Sequence, residues 1–130
     1  MAVVKKKRSL EGPGTYSEAM RYVENAKECL KKAGKSGTYY SDTKYVKMAG
    51  NTLWNGVLVA LAAKFPVKGR PDIIKYRQEV GKVNKSKLKV LNAGYELCHL
   101  AMGYDGHLHA ETIRIAVKTA EELIEWASPD

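Results

Sequence analysis

Cysteine is scarce in this sequence of 130 residues, which contains only Cys29 and Cys98. Two cysteines cannot build the disulfide framework of a small secreted domain. Long apolar runs are missing as well, since none reaches the roughly 18 residues needed to cross a bilayer. The basic N-terminus is not followed by the apolar stretch that a secretory signal requires. The sequence therefore predicts a cytoplasmic protein that makes no membrane contact.

Segments that alternate between apolar and polar residues are also missing, so the sequence gives no indication of a β-strand. Apolar residues instead recur every three to four positions in five segments, which is the spacing of amphipathic helices. The segments cover about residues 15–33, 42–65, 71–80, 85–102 and 110–127.

Four substantial helices and one short helix predict an all-α protein. We expect a four-helix up-and-down bundle, with the short extra helix in the third connection. The bundle forms a single domain over residues 15–127, and residues 1–14 form a flexible basic tail. The helix over 42–65 is the most apolar of the set, so we expect it to be central or to be covered by a second subunit.

Acidic residues are few before the last third of the chain. The net charge is +8, and residues 64–89 carry nine basic and two acidic side chains, whereas residues 90–130 carry two basic and seven acidic ones. A basic segment attracts phosphates and acidic surfaces. We therefore predict that segment 64–89 binds an acidic protein or a nucleic acid. The alternative is that its lysines are only solvated.

Two strings stand out, YYSDTKYVKMAG at residues 39–50 and HLAMGYDG at residues 99–106. Together they resemble an uncharacterised family of short all-helical bacterial proteins, classed as a domain of unknown function, over about residues 16–126. More distantly, the helical layout resembles the nucleotide-binding bundles known as HEPN. That wider resemblance implies a partner of a small nucleotidyltransferase or an RNA-cutting toxin.

The toxin members of that wider group use an Arg that is followed four to six residues later by a His on a late helix. No Arg stands at that distance before His99, His107 or His109. The sequence therefore offers no catalytic residues of this kind, and we predict that the protein is not an enzyme.

Four polar residues of the second predicted helix, Lys44, Lys47, Asn51 and Asn55, fall on one helical face. One interpretation is a groove for an anionic ligand, in which the lysines face phosphate. The alternative is a solvated face that ends in buried, hydrogen-bonded Asn side chains.

Tyrosines near this face have two interpretations, since they stack on bases or cap the end of a bundle. We further expect a half-buried His99 beside Tyr104. The candidate binding residues are Tyr40, Lys44, Lys47, Asn51, Asn55, His99 and Tyr104.

Metal ligation is the remaining chemistry to consider. Cys98, His99, His107 and His109 match no closed zinc pattern, and adjacent helical residues such as Cys98 and His99 point about 100° apart. We predict no metal site and no cofactor.

Trp54 lies off the main apolar stripe of its helix, and apolar neighbours extend this surface. The excess favours a homodimer. The sequence thus predicts a non-enzymatic binding or interaction module that self-associates. The alternative is a nucleotide- or nucleic-acid-binding accessory of a nucleotidyltransferase-type system that uses the Lys44–Asn55 face.

Overall fold

Helices account for most of the chain in the computed structural model, which describes residues 10, 12–69 and 72–129. The predicted all-α character is therefore confirmed. The predicted tail falls mainly on residues 1–9 and 11, which lie outside the described residues, as do positions 70 and 71 of the basic segment. The helices are α1 (Thr15–Ala33), α2 (Thr43–Lys64), α3 (Ile73–Val83), α4 (Lys85–Gly94), a π-helix π1 (Tyr95–Tyr104) and α5 (Ala110–Ala127).

Helix α2 lies at the centre of the packing and contacts α1, π1 and α5. It buries residues on several sides, among them Val46, Leu53 and Val57. Gly56 brings α1 close, because a Cβ at this position would lie only 2.9 Å from the carbonyl oxygen of Ala19. Burial on most sides is what its apolar sequence predicts.

The predicted fourth helix over 85–102 is correct only in its first half. The chain is α-helical to Gly94 and continues as π1 to Tyr104. In a π-helix each N–H bonds to the carbonyl five residues back, which widens the turn. Cys98 and Met102 both have no exposed surface. Their spacing of four residues suits either type of helix, so periodicity alone did not distinguish the two.

A short β-hairpin joins α1 to α2, where the sequence indicated no strand. Its strands are β1 (Lys35–Ser36) and β2 (Tyr39–Tyr40). Gly37, with φ of +63°, allows the tight turn between them. Strands of two residues are too short to produce a recognisable alternation, which explains why the prediction missed them.

The hairpin also ties this connection to the start of α5. The backbone N–H of Tyr40 donates to the carbonyl of Leu108, and that of Ala110 donates to the carbonyl of Thr38, both at 2.8 Å. The carboxyl end of α1 is thereby placed beside the amino end of α5.

Helix α3 begins at Ile73 rather than at position 71, and it extends to Val83. Its start is set by Asp72, whose Oδ1 accepts a 2.9 Å hydrogen bond from the backbone N–H of Lys75. No helix among the described residues combines the length and hydropathy that crossing a membrane would need.

Candidate functional site

A cleft of about 690 Å³ opens between α2, π1 and the start of α3. Its walls combine aromatic, amide and aliphatic side chains. The lining residues are Asn51, Trp54, Asn55, Leu58, Asp72, Ile73, Tyr95 and His99. Its volume lies in the range of small-molecule sites, which are typically apolar with a few placed polar groups.

Three rings form the aromatic wall of the cleft. Tyr95 meets Trp54 edge to face with 5.6 Å between centroids, and His99 lies 5.2 Å from Tyr95 and 6.1 Å from Trp54. Trp54 is 6% exposed, whereas the other two rings are half-buried. The wall is therefore held rigidly by Trp54, while Tyr95 and His99 present ring surface to the cleft.

Tyr95 and His99 both belong to π1. Four residues apart, they make nearly one full turn of a π-helix and lie on the same side. Arg77 supports the outer ring, since its guanidinium carbon lies 5.1 Å from the Tyr95 ring centroid. The same Arg77 is fixed by a 2.8 Å hydrogen bond from its Nε to Asn92 Oδ1.

Two amides, Asn51 and Asn55, stand one turn apart on the exposed face of α2. The Nδ2 group of Asn51 donates to the carbonyl of Gly103 at 3.4 Å. Gly103 makes this contact possible, because a Cβ there would lie 2.5 Å from Asn51 Oδ1. Both side chains are exposed, so the interpretation that this face ends in buried Asn residues is wrong.

The remaining candidate residues lie outside this cleft lining. The ammonium of Lys44 lies over the Tyr45 ring at 4.6 Å, and the stem of Lys47 packs beside Gly106. Tyr104 is 76% exposed, and Tyr40 lines a different groove beside α1 and α5. The structure thus brings together Asn51, Asn55 and His99 from the predicted set.

Trp54, Leu58, Asp72, Ile73 and Tyr95 complete the lining and were not among the predicted site residues. The sequence signal for Tyr95 was its spacing of four from His99, and Trp54 was singled out as lying off the main apolar stripe of its helix. The contact of these rings with Trp54 depends on the packing of π1 against α2, and local sequence does not encode it.

Cys98 is fully buried behind the aromatic wall. Its Sγ donates to the carbonyl of Ala116 at 3.5 Å, and burial raises the pKa of its thiol to about 12. Cys98 is therefore held as a packed, protonated thiol. Within the described residues, no group of three or more His, Cys, Asp and Glu side chains is placed to hold a metal ion.

Several cations of segment 64–89 are engaged within the chain. Lys64 lies 4.9 Å from the Trp126 ring centroid, and Lys82 pairs with Glu79 on the same helix. Lys87 forms a 3.1 Å ion pair with Glu122 of α5. The basic segment is thus partly neutralised, and among its exposed lysines are Lys68, Lys85 and Lys89.

The fold defines an all-helical protein with a short β-hairpin between its first two helices. The chain belongs to the family described as a domain of unknown function (DUF5618), whose model matches residues 14–129. The predicted membership of an uncharacterised family is thereby confirmed.

A solved structure of a protein of unknown function from Dyadobacter fermentans is similar to this chain. The two share 39% identity and superpose with a TM-score of 0.82, covering 87% of this chain and 92% of the other. No curated protein matches.

Proposed function

We propose that the protein is a non-enzymatic binding module whose ligand site is the cleft between α2, π1 and the start of α3. The observation that carries the proposal is the convergence of Asn51, Asn55 and His99 with Trp54 and Tyr95 around one space of about 690 Å³. Aromatic rings and paired amides at one site favour a flat ligand with both donors and acceptors.

The ligand class that fits this chemistry is a planar nitrogen heterocycle such as a nucleobase. The rings of Tyr95 and His99 supply stacking surface, which accepts any base. Each Asn amide carries one acceptor oxygen and two donor hydrogens, so Asn51 and Asn55 can read the edge of such a ring. A nucleotide would extend its phosphate toward solvent, where Lys47 lies one turn before Asn51.

A binding role is favoured over catalysis by how the ionisable groups of the cleft are used. Asp72 already accepts the hydrogen bond that begins α3, and His99 is packed against two other rings. A general acid or base needs a proton path to substrate and a second group that orients it. The groups described at this site act instead as packing and capping elements.

The test is a titration of Trp54 fluorescence in a Trp126→Phe background, which removes the other indole. Adenosine, guanosine, cytidine and uridine are added separately, with ribose 5-phosphate as the probe that lacks a base. We expect a nucleoside to quench the emission and ribose 5-phosphate to leave it unchanged. Loss of one amide hydrogen bond in Asn51→Ala or Asn55→Ala should weaken binding about two- to tenfold.

Lys44→Ala is the matched control, because Lys44 lies on α2 outside the cleft and its loss should not change the affinity. Lys47→Ala distinguishes the contribution of the phosphate to binding from that of the base, since it should weaken nucleotide binding and leave nucleoside binding intact. Quenching by ribose 5-phosphate alone, or no response to any nucleoside, would contradict the proposed site.

Self-association is a separate proposal, and it now depends on residues other than Trp54. Trp54, which suggested a dimer, is covered by Tyr95 and His99 of the same chain. Met48 and Tyr104 are among the large side chains that stay exposed, at 48% and 76%, and they are the ones we propose for a homodimer contact. Light scattering should give twice 14.4 kDa, and a constant monomer mass at all concentrations would rule the dimer out.

An accessory role beside a nucleotidyltransferase stays a prediction from the HEPN resemblance. It requires the cleft to bind nucleotides and the protein to bind such an enzyme. A nucleotidyltransferase encoded beside this chain would support the role.

We also propose a cytoplasmic location, which the two unpaired cysteines support because thiols stay reduced in that compartment.

A further inference from the structure

A second concave surface lies between α1 and α5, on another part of the molecule from the aromatic cleft. It is a shallow groove of about 490 Å³. Leu30, Ile113 and Val117 form its apolar floor, in which Leu30 and Ile113 belong to the core, at 7% and 1% exposure, and Val117 is half-buried. The half-buried Tyr40 and Ala110 close one end. The α5 side runs from residue 110 to residue 121, which is about 16 Å or three helical turns.

Cations line both walls of this α1/α5 groove. Lys27 and Lys31 stand one turn apart on α1, with Lys35 just beyond its end, and Arg114 and Lys118 stand one turn apart on α5. The lining also includes two carboxylates, Glu111 and Glu121. The lining therefore has an excess of three positive charges, and one of its five cations, Arg114, is paired with Glu111 across one turn of α5.

The lysines of the α1 wall are held only by exposed ion pairs. Lys27 pairs with Glu24 at 3.4 Å and Lys31 pairs with Glu28 at 3.0 Å, and all four side chains are at least 41% exposed. Such pairs contribute about 0–1 kcal/mol. Exchanging them for carboxylates on a partner therefore costs little.

We propose that the α1/α5 groove docks an acidic amphipathic helix of a partner protein. Apolar side chains on one face of that helix would cover the floor at Val117 and the half-buried Tyr40 and Ala110 at its end. Carboxylates spaced one turn apart on its two flanks would meet the rows of cations on α1 and α5, which have the same spacing. This is the helix-in-groove mode of recognition, with charge fixing the orientation.

Other occupants fit the groove less well. The chain's own N-terminal segment carries the run Lys5–Arg8, which has the same sign of charge as the walls. A nucleic acid could pair its phosphates with the cations but would leave the apolar floor uncovered. The proposal does not depend on the aromatic cleft, and failure of either one leaves the other standing.

The test uses a fluorescein-labelled designed peptide of about 18 residues, which is long enough to form a helix. Leucines occupy one face and glutamates flank them. Fluorescence anisotropy should show saturable binding to the full chain. Lys31→Glu combined with Lys118→Glu places like charges opposite the peptide and should weaken binding at least about tenfold.

The matched control is Arg21→Glu combined with Lys44→Glu, which makes the same charge change at exposed cations outside the groove and outside segment 64–89, and it should leave the affinity within about twofold. Circular dichroism verifies that both double variants fold. A peptide of the same composition with its leucines dispersed around the helix should bind at least about tenfold more weakly, because it cannot cover the floor.

Four results would overturn the proposal. The first is no binding up to about 1 mM peptide, and the second is equal binding of the dispersed peptide. The third is tighter binding of a single-stranded RNA that is lost in the groove variant. The fourth is a dimer of the free protein that dissociates in the groove variant, which would assign the groove to a second copy.

Discussion

At the scale of single residues, the two thiols of the chain differ in their surroundings. Cys29 is half-buried on α1, whereas Cys98 has no exposed surface in π1. Burial in apolar surroundings penalises the thiolate, which raises the pKa of Cys98 from 9.0 to about 12. Reactivity follows the thiolate and its access to reagent, so the two cysteines should be chemically distinct.

We predict that a disulfide reagent such as Ellman's reagent modifies Cys29 of the folded protein at pH 8 and reaches Cys98 only on unfolding.

The raised pKa of Cys98 in the folded state also makes the free energy of unfolding depend on pH. The contribution of Cys98 is fully present below pH 9 and is lost as the pH rises toward 12.

The measurement is the free energy of unfolding of the wild type and Cys98→Ala across this pH window. The difference between the two proteins should shrink as the pH rises, because tyrosines and lysines titrate equally in both. Rapid modification of two thiols in the folded protein would show that Cys98 is not enclosed.

At the scale of elements, the contact between α2 and π1 positions the cleft. Gly50 lies at their closest approach, where a Cβ would stand 2.5 Å from the Met102 Cβ and 2.6 Å from the Cys98 carbonyl oxygen. Neither neighbour is the far end of a flexible side chain. The position of π1 therefore depends on the absence of a side chain at Gly50 of α2. The positions of Tyr95 and His99 depend on it as well, because both belong to π1.

We predict that Gly50→Ala lowers the free energy of unfolding by about 1–3 kcal/mol through overpacking. Gly81→Ala in α3 is the control, since its Cβ would meet only the flexible Cδ2 of Leu88 at 3.2 Å. That change should be neutral or stabilising by up to about 1 kcal/mol, as Ala is the better helix former. Urea unfolding followed by circular dichroism measures both, and equal stability of the two variants would refute the close contact.

At the scale of the whole molecule, charge is divided along the chain and partly rejoined by the fold. The basic segment 64–89 meets the acidic last third of the chain through the ion pair between Lys87 and Glu122, which links α4 to α5. Lys85 and Lys89 remain exposed on α4. Any nucleic acid bound by segment 64–89 should therefore contact these two lysines before Lys87.

We predict that single-stranded RNA binds weakly and that its affinity falls with salt. Each phosphate contact contributes about 0.7 to the slope of log affinity against log salt, so Lys85→Ala with Lys89→Ala should reduce the slope by about 1.4. The control is Lys32→Ala with Lys44→Ala, two exposed lysines outside the segment. An affinity that does not respond to salt would end this role for segment 64–89.

The helices were predictable because their signal is local. The sequence predicted a first helix over about residues 15–33 and a last helix over about residues 110–127, and the structure has helices at Thr15–Ala33 and Ala110–Ala127. The hairpin was not predictable, since two-residue strands have no periodicity to read. The π-helix was missed because the spacing between Cys98 and Met102 is the same in both helix types.

The candidate site was predictable only in part, because only residues within one helix have a local signal. Asn51 and Asn55 belong to one helix, so their spacing alone placed them on one face. Tyr95 and His99 come from a different helix, and Asp72 comes from the start of a third. Their meeting depends on how these helices pack, which the spacing within each helix does not specify.

The sequence by itself determined that this protein is all-helical, which residues form most of its helices, and that its charge is divided between a basic middle and an acidic end. Backbone hydrogen bonds and apolar periodicity act over a few residues, so they can be read locally. Only the tertiary structure decided that Trp54 is covered by Tyr95 and His99 and that a cleft opens beside them. Contacts between residues far apart in the chain are set by side-chain packing, including the close approach at Gly50, and that packing exists only once the helices are assembled.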